Sequence, residues 1–300
     1  MIKREVSIVT GWGGHLGTGH VQRMASLAFH INRHTPLKAY LVCERKPGFL
    51  PELFDDCIVN AIRPDSAFII RDKRDSTISD MEALQSHGRV IAIDDCGPGR
   101  GQADLAIDLL PNLQYSSYDK DLFIFGFTFA DSVMKLGVRT VTKDIDFAVY
   151  CGISPPQRTI AAITALIPVK YSYAVLAGAT QTLFKDGTAE PLNKSYAEIL
   201  MSSKVLITHF GITLYEGLIS GCKIITINPT EYHSRLSDIA GDGIDLVNLG
   251  VIDAIDPSQA RSAISGSLTA VGSSAVAPPE INEAIKTGLD LFISRIRPFF

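Results

Sequence analysis

The sequence has no long hydrophobic run. No segment approaches the roughly 20 apolar residues that a membrane-spanning helix needs. The apolar stretch near the start, within residues 5–11, is too short for the core of a secretory signal and is typical of a first β-strand. We therefore expect a soluble, cytoplasmic protein.

The sequence also has neither a block of basic residues nor a paired-cysteine pattern. Its 28 basic and 32 acidic residues are mixed along the chain and give a net charge of -4, which disfavours nucleic acid as a partner. Five cysteines are scattered through mostly apolar runs, which favours reduced, buried thiols over disulfides or a zinc site. They are Cys43, Cys57, Cys96, Cys151 and Cys222. No metal or other cofactor is expected.

What the sequence does contain is an alternation of β-branched apolar runs with helical patterns. At 300 residues, it is long enough for about two domains. Strands are predicted at 5–11, 38–44, 66–72, 89–95, 146–152, 171–178, 204–210 and 223–229. Helices are predicted at 20–34, 79–88, 154–167, 195–203 and 213–221, followed by a long final helix from about residue 279. The helix at 79–88 is expected to open with a capping box of Ser79 and Glu82.

This rhythm predicts an α/β protein with two doubly wound, Rossmann-type domains. The pattern restarts near residues 140–146, so the expected domains are 1–145 and 146–300, with the last helix packing back on the first domain. Doubly wound sheets bind ligands at the carboxyl ends of their strands. Two such domains would therefore place their ligands in a central cleft.

The glycine-rich stretch "GGHLGTGHVQRMASLA", residues 13–28, follows the first strand and leads into a helix. The glycines permit a tight turn, and they also suit a loop whose backbone amides meet an anion at the start of a helix. A dinucleotide-binding G-x-G-x-x-G pattern is a weaker match, because Leu16 stands where the third glycine is needed, although Glu44 does end the second strand. A metal bound by His15 and His20 is disfavoured, because no further ligand pattern accompanies them.

The same stretch carries a resemblance to a known family. Gly17, Thr18, Gly19, His20, Val21 and Arg23 form a G-T-G-H-V-x-R motif. This resembles the motif of the UDP-sugar hydrolase of the pseudaminic acid pathway and of related spore-coat polysaccharide proteins, which belong to the GT-B superfamily of nucleotide-sugar enzymes. Residues 90–112, 147–156 and 204–227 are similar to later segments of that family.

The sequence differs from the family pattern at two places. The family's hydrolases carry an arginine and an aspartate ahead of the glycine motif, where this sequence has "TGWGGH". An Asn-Gln pair in the second half is replaced by "EYHSR" at 231–235. These differences leave open both the sugar and the choice between hydrolysis and transfer.

The resemblance implies a set of site residues. His20 would be the general base. Backbone amides at the helix start near Gly211 would hold the diphosphate, and Glu216 would accept hydrogen bonds from the ribose hydroxyls. The expected substrate-binding residues are Gly17, Thr18, Gly19, Arg23, Asp94, Asp95, Ser154, His209, Gly211, Ile212, Thr213, Glu216 and His233.

Simpler roles for several of these residues stay open. His20 could be a polar helix cap, Thr213 and Glu216 could form a capping box, and Asp95 could pair with Arg100.

The expected function is cleavage of the anomeric C–O bond of a UDP-sugar, with release of UDP and with water as the acceptor. The nucleotide is expected mostly on residues 146–300 and the sugar mostly on residues 1–145. Alternatives are a GT-B glycosyltransferase, a non-catalytic nucleotide-sugar-binding protein and an NAD-dependent oxidoreductase. The oligomeric state is not predicted.

Overall fold

The computed structural model of the chain describes residues 4–13, 16–114, 118, 119, 122, 124–152, 154–177, 180–270 and 276–300. His15 lies outside the described residues, and so does the suggested pairing of His15 with His20. All five cysteines are free thiols. Among the described residues, no helix has the length and apolarity needed to cross a membrane.

The elements alternate along the chain as the sequence patterns predict. The strands are β1 Arg4–Thr10, β2 Leu37–Val42, β3 Ile58–Val59, β4 Ser66–Asp72, β5 Arg89–Ile93, β6 Leu105–Ile107, β7 Ile145–Tyr150, β8 Tyr173–Ala177, β9 Thr180–Lys185, β10 Thr188–Pro191, β11 Ser203–Thr208, β12 Lys223–Asn228 and β13 Leu246–Val251. The helices are α1 Gly19–His34, α2 Ile78–Gln85, α3 Phe127–Leu136, α4 Gln157–Thr164, α5 Tyr196–Ser202, α6 Ile212–Ile219, α7 Glu231–Gly241, α8 Pro257–Ser267 and α9 Pro278–Ile296. Short 3-10 turns lie at Glu52–Cys57, Pro98–Gln102, Ile252–Ala254, Leu268–Ala270 and Arg297–Phe299.

The first compact unit comprises Met1–Thr128 and Glu283–Phe300. Its described strands form a parallel sheet in the order β3-β2-β1-β4-β5-β6. Such a sheet is covered on both faces, which is why its strands are continuous apolar runs. Helix α1 turns Met24, Leu27 and Ile31 inward. Met81 of α2 belongs to a cluster with residues of β4 and β5.

Helix α2 begins differently from the prediction. Its N-cap is Thr77, whose side chain accepts a hydrogen bond from the backbone of Asp80 while the Asp80 carboxylate accepts from the Thr77 backbone. The expected capping box of Ser79 and Glu82 is therefore wrong. The same reciprocal arrangement is simply made two residues earlier, by Thr77 with Asp80 at the third helical position.

The second compact unit comprises Phe129–Asn282. Its described strands run in the order β10-β9-β8-β7-β11-β12-β13. Strand β9 pairs antiparallel with both β8 and β10, and all other neighbours, including β7 with β8, pair parallel. The core of this unit includes Phe147, Val205 and Ile225 from the central strands and Ile163 from α4. Two continuous sheets of this kind fit the predicted pair of doubly wound domains.

Element boundaries differ from the prediction in a few places. Helix α4 begins only at Gln157, with Pro156 as its N-cap, because a residue followed by proline is biased away from the helical conformation. The long final helix is confirmed as α9. The division of the chain at residue 145 stays a prediction.

Candidate functional site

Two neighbouring strands of the first unit end beside the start of α1. Strand β4 lies next to β1 in the sheet, so Asp72, its last residue, sits at the same sheet edge as the glycine-rich loop. His20, in the first turn of α1, places its Nδ1 2.8 Å from Oδ1 of Asp72. Asp72 is fully buried, whereas the His20 side chain is 19% exposed. The imidazole therefore stands between a buried carboxylate and the surface.

The protonation of this pair follows from its surroundings. Burial raises the pKa of Asp72, but the charges of Arg23 and His20 outweigh it and bring the pKa to about 2. An ionised carboxylate only accepts hydrogen bonds, so Nδ1 of His20 carries the proton that points at Asp72. In neutral His20, Nε2 is then left with a lone pair. This is the arrangement of a general base oriented by a carboxylate.

Arg23 is placed to support this pair. Its Nε and one terminal nitrogen donate to the two oxygens of Asp72, each at 2.6 Å. Its other terminal nitrogen lies 2.6 Å from Oδ2 of Asp94. The side chain of Arg23 is buried, and burial lowers its pKa. The two carboxylates raise the pKa by more than burial lowers it, so the net shift is upward. Arg23 therefore stays a cation that holds both aspartates.

Asp94 completes what we call the His20 cluster, which consists of His20, Arg23, Asp72 and Asp94. Asp94 follows β5 with a positive φ of 48°, and its Oδ1 accepts from the backbone amides of residues 109 and 110. Its side chain is 13% exposed, and burial raises its pKa. With neutral His20 and both aspartates ionised, the cluster carries one net negative charge, which a proton on His20 cancels.

Asp95 does not join this cluster. Its side chain is fully buried, Oδ2 accepts from Arg71, and Oδ1 accepts from the amides of Ser76 and Gly97. The suggested pairing of Asp95 with Arg100 is wrong, because the guanidinium of Arg100 forms its ion pair with Asp108 and meets only the backbone carbonyl of Asp95. With its oxygens satisfied by protein donors, Asp95 holds two loops together.

The glycine-rich loop leads directly into the cluster. Gly13 and Gly17 have positive φ angles of 83° and 66° and are joined by a backbone hydrogen bond of 2.8 Å. Thr18 is the N-cap of α1 but makes no side-chain cap bond, and Gly19 is the first helical residue. Since Thr18 holds the cap position, the simpler role of His20 as a helix cap is wrong.

In the second unit, the predicted nucleotide residues lie around the start of α6. Gly211 is the N-cap, without a side-chain cap bond, and Ile212 is the first helical residue. The alternative capping box of Thr213 and Glu216 is therefore wrong. Glu216 is 3% exposed and accepts from the Tyr196 hydroxyl at 2.7 Å, and the same hydroxyl lies 2.9 Å from Oγ1 of Thr213. Burial and the Glu216 charge raise the pKa of Tyr196, which keeps it protonated as the donor.

Two predicted histidines lie at this edge of the second sheet. His209 follows β11, and its Nδ1 lies 2.8 Å from the carbonyl oxygen of Phe210. Because a carbonyl only accepts, Nδ1 carries a proton, and burial lowers the pKa of His209. The ring of His233, in the first turn of α7, is centred 6.2 Å from that of His209 and is hydrogen-bonded to Thr230. Ser154 lies in an exposed part of the loop before α4.

The loop after β11 is fixed by Asn228, the last residue of β12. Its Oδ1 accepts from the Phe210 amide at 2.9 Å and from the Ser237 hydroxyl at 3.2 Å, while its Nδ2 donates to Asn248 at 3.0 Å. Sequence reasoning missed Asn228, Asp72 and Tyr196. Asp72 and Asn228 share one usable signal, since each is a polar residue that ends an apolar strand of a parallel sheet.

Among the described residues, no group of three or more His, Cys, Asp or Glu side chains is arranged to hold a metal ion.

No protein-family model matches the chain, and no curated protein matches its sequence. Solved structures do match. The calicheamicin glycosyltransferase has a TM-score of 0.60 and 10% identity, with 100% of this chain and 98% of that chain covered. A UDP-GlcNAc 2-epimerase from Neisseria meningitidis, bound to UDP-GlcNAc, has a TM-score of 0.55 and 9% identity, with 98% and 100% covered. The glycosyltransferase SnogD from Streptomyces nogalater has a TM-score of 0.53 and 9% identity, with 100% of each chain covered. At such identities the likeness is one of fold, and this chain has the GT-B fold of these enzymes.

Proposed function

We propose that this protein is a nucleotide-sugar enzyme that breaks the anomeric C–O bond of a UDP-sugar and releases UDP. The observation that carries the proposal is the hydrogen bond of 2.8 Å between His20 and the buried carboxylate of Asp72. It fixes the imidazole with Nδ1 protonated and leaves Nε2 as the base.

The reaction balances on these groups. Nε2 of His20 takes a proton from the attacking hydroxyl as its oxygen forms a bond to the anomeric carbon. The bond between that carbon and the diphosphate oxygen breaks, and UDP leaves with the electron pair. Asp72 stabilises the imidazolium that forms, and Arg23 holds Asp72 in place. Water as the attacking group gives hydrolysis, as the resemblance to the pseudaminic acid and spore-coat family suggests.

The second unit supplies the features of a nucleotide site. The amides at the start of α6 are not capped by a side chain, and a helix start favours an anion such as a diphosphate. Glu216, held by Tyr196, is the acceptor for the ribose hydroxyls. Ile212 and Thr213 lie in the first turn of α6, and His209 and His233 lie at the same edge of the sheet. These four residues and Ser154 stay proposed contacts.

Transfer of the sugar to an acceptor other than water is the second candidate. It is favoured by the GT-B fold shared with the calicheamicin glycosyltransferase and with SnogD. In the UDP-GlcNAc 2-epimerases that share this fold, the substrate named is likewise a UDP-sugar. The same base serves either nucleophile, since both present a hydroxyl to Nε2 of His20.

The first experiment is calorimetric titration of the full chain with UDP and, separately, with NAD. We expect UDP to bind and the Glu216→Ala variant to bind it at least ten-fold more weakly, because a hydrogen bond to a charged group contributes about 1.5–3 kcal/mol. Binding of NAD without binding of UDP would reject the proposal and favour an oxidoreductase.

The second experiment measures UDP release from a panel of UDP-sugars, with and without acceptors. We expect His20→Ala to lose at least 100-fold in rate while still binding UDP. His87→Ala is the matched control, because His87 is exposed in a turn of the same unit. If His20→Ala keeps the full rate, the base is assigned wrongly. If no UDP-sugar is turned over, the protein is a non-catalytic binder.

A further inference from the structure

The side chain of Lys73 extends from the end of β4 to the end of the neighbouring strand β1. Lys73 directly follows β4, and the strands beside it run in the order β2-β1-β4. A Cβ atom on Gly11, just after β1, would lie 3.1 Å from Cε of Lys73. Burial raises the pKa of Cys43, just after β2, to about 11, and the charge of Lys73 acts in the opposite direction. The Lys73 side chain therefore lies beside the end of β1, close enough for its charge to act on the Cys43 thiol.

The backbone beneath Lys73 is rigidly held. The guanidinium of Arg71 donates to the carbonyl oxygens of Lys73 at 3.4 Å and Arg74 at 2.8 Å. Arg71 is itself buried in an ion pair of 2.9 Å with Asp95. Burying two charges carries a large desolvation cost. In return, the buried guanidinium fixes the conformation of the short loop that contains Lys73 and Arg74. The loop in turn fixes the point from which the Lys73 side chain extends.

A second cation stands on the other side of β1. Arg45 is exposed in the loop after β2, and its guanidinium carbon lies 4.7 Å from the ring centre of Trp12. The Trp12 indole N–H donates to the Arg45 carbonyl at 3.1 Å, and Phe49 packs edge-on against the indole at 5.8 Å. Arg45 and Trp12 therefore hold each other in place next to Gly11.

Two acidic groups of this region are paired with other cations. Asp72 is held by Arg23 and His20. Asp55 pairs with Lys46. Neither Lys73 nor Arg45 takes part in an ion pair among the described residues. Two cations that form no ion pair with the described carboxylates therefore lie on either side of the end of β1. One of them, Lys73, is the next residue in the chain after Asp72, the partner of the proposed base.

We propose that Lys73 and Arg45 form a subsite for an anionic group, a carboxylate or a phosphate, on the acceptor whose hydroxyl is deprotonated by His20. The role as an acceptor site rests on the proposed function, whereas the binding of the anion does not. An anionic acceptor at this subsite favours transfer of the sugar, the second candidate of the proposed function, over hydrolysis. The Trp12 ring beside the cations suits the apolar or ring portion of the same molecule.

The test uses matched pairs of small molecules that differ in one charged group. The full chain, saturated with UDP so that its nucleotide site is filled, is titrated by ligand-detected NMR or calorimetry. One arm compares 4-hydroxybenzoate with 4-hydroxybenzyl alcohol, and the other compares glycerol 3-phosphate with glycerol. We expect at least one anion to bind ten-fold or more tightly than its neutral partner. The arm that shows the preference identifies carboxylate or phosphate as the group bound.

Variants then assign the preference to Lys73. We expect Lys73→Met to lose it and Lys73→Arg to keep most of it. Lys46→Met is the matched control, since Lys46 lies close in sequence to Arg45 but is neutralised by Asp55. Circular dichroism and the melting temperature verify that the variants are folded. Equal binding of anions and neutral partners overturns the proposal, and so does an equal loss in Lys73→Met and Lys46→Met.

The two proposals fail in different ways. Failure of UDP to bind rejects the nucleotide-sugar function, and the titrations are then run without UDP. Anion binding that depends on Lys73 would still establish the subsite. The converse result is UDP release that depends on His20 while neither anionic acceptors nor the Lys73→Met substitution changes its rate. That result would support the nucleotide-sugar function and reject the subsite.

Discussion

Asp72 and His20 are 52 residues apart in the chain, yet their side chains meet at 2.8 Å because β4 lies beside β1 and α1 begins at the same sheet edge. Arg23, one turn further along α1, donates to both oxygens of the same carboxylate. The end of β4 therefore supplies the orienting carboxylate. The start of α1 supplies both the proposed base and the cation that keeps the carboxylate ionised.

Replacement of Asp72 by asparagine tests this arrangement. The side-chain amide of Asp72→Asn has two possible orientations. In one, its NH₂ group faces the donors of Arg23. In the other, the NH₂ group faces His20, which then has to accept at Nδ1 and carry its proton on Nε2. We expect kcat for UDP release to fall by about 10²- to 10⁴-fold, with little change in the KM for the UDP-sugar.

The control is Asp75→Asn, which neutralises a nearby exposed aspartate that accepts from the Cys96 amide. Both rates are measured well below the melting temperature of each variant, because the loss of a carboxylate from Arg23 also destabilises the unit. An Asp72→Asn rate equal to that of Asp75→Asn would show that Asp72 does not orient the base.

The sequence predicted the alternation of elements well, since periodicity is a local property. Helix α1 lies within one residue of its expected start, and β4 matches 66–72. The hairpin of β9 and β10 was missed, although Asp186 and Gly187 form an Asp-Gly turn with φ angles of 50° and 78°. The turn signal was present in the sequence. The pairing of this hairpin with β8, at the edge of a mostly parallel sheet, depends on tertiary contacts, which local sequence patterns do not reveal.

The sequence predicts only the part of the His20 cluster that lies in a recognisable motif. The G-T-G-H-V-x-R motif contains His20, but its partner Asp72 is set by the order of strands, which spacing along the chain does not reveal. Asp95 shows the reverse case. It looked like a cleft residue because it follows a strand beside Asp94, but contacts with Arg71 and Ser76 turn it into the core.

Binding of UDP is expected to take up a proton at His209. Burial lowers the pKa of His209, and its neutral form donates from Nδ1 to Phe210, so Nε2 presents a lone pair. A phosphate oxygen requires an N–H donor at Nε2, so contact with the diphosphate favours the protonated ring. The affinity for UDP should therefore rise as the pH falls through the neutral range, by up to about ten-fold per pH unit.

Calorimetry in buffers of different ionisation enthalpy measures this uptake. The comparison is with His209→Gln, whose amide can donate without titrating, so that protonation of UDP itself cancels. We expect the wild-type chain to take up about one proton more than the variant. Equal uptake by both proteins would mean that Nε2 of His209 does not contact the phosphates.

The loop that carries His209 should depend on Asn228. Its Oδ1 accepts from the Phe210 amide, so the orientation of the side-chain amide is fixed and Nδ2 faces Asn248. Asn228→Asp replaces that donor with an acceptor and adds a negative charge beside a loop that is proposed to bind a diphosphate. We expect the affinity for UDP to fall at least ten-fold, since an unmade buried hydrogen bond costs about 1–3 kcal/mol.

Ser237→Ala is the control for Asn228, because the Ser237 hydroxyl donates to the same oxygen without touching the loop. Its affinity for UDP should stay close to that of the wild type. If Ser237→Ala and Asn228→Asp weaken binding equally, Asn228 acts through the general packing of α7 and not through the Phe210 amide.

Lys143 is expected to stabilise the second unit. Its buried ammonium group donates to the carbonyl oxygens of Ser203 at 2.6 Å, Ser220 at 3.0 Å and Met201 at 3.4 Å. These carbonyls lie at the C-terminal ends of α5 and α6, where the helix dipoles favour a cation. Burial lowers the pKa of Lys143, so the three carbonyls have to compensate for the lost hydration of the charge.

Lys143→Met removes the donors and leaves the carbonyl oxygens buried without them. Because an unsatisfied buried polar group costs about 1–3 kcal/mol, we expect the free energy of unfolding to fall by about 2–4 kcal/mol in urea titrations. Lys204→Met is the matched control, since it removes a partly exposed pair with Asp146 that contributes less than about 1 kcal/mol. UDP should bind the folded Lys143→Met protein nearly as well as the wild type, because Lys143 contacts the end of α6 and not its start. A loss no larger than that of Lys204→Met would show that solvent replaces the ammonium group at these helix ends.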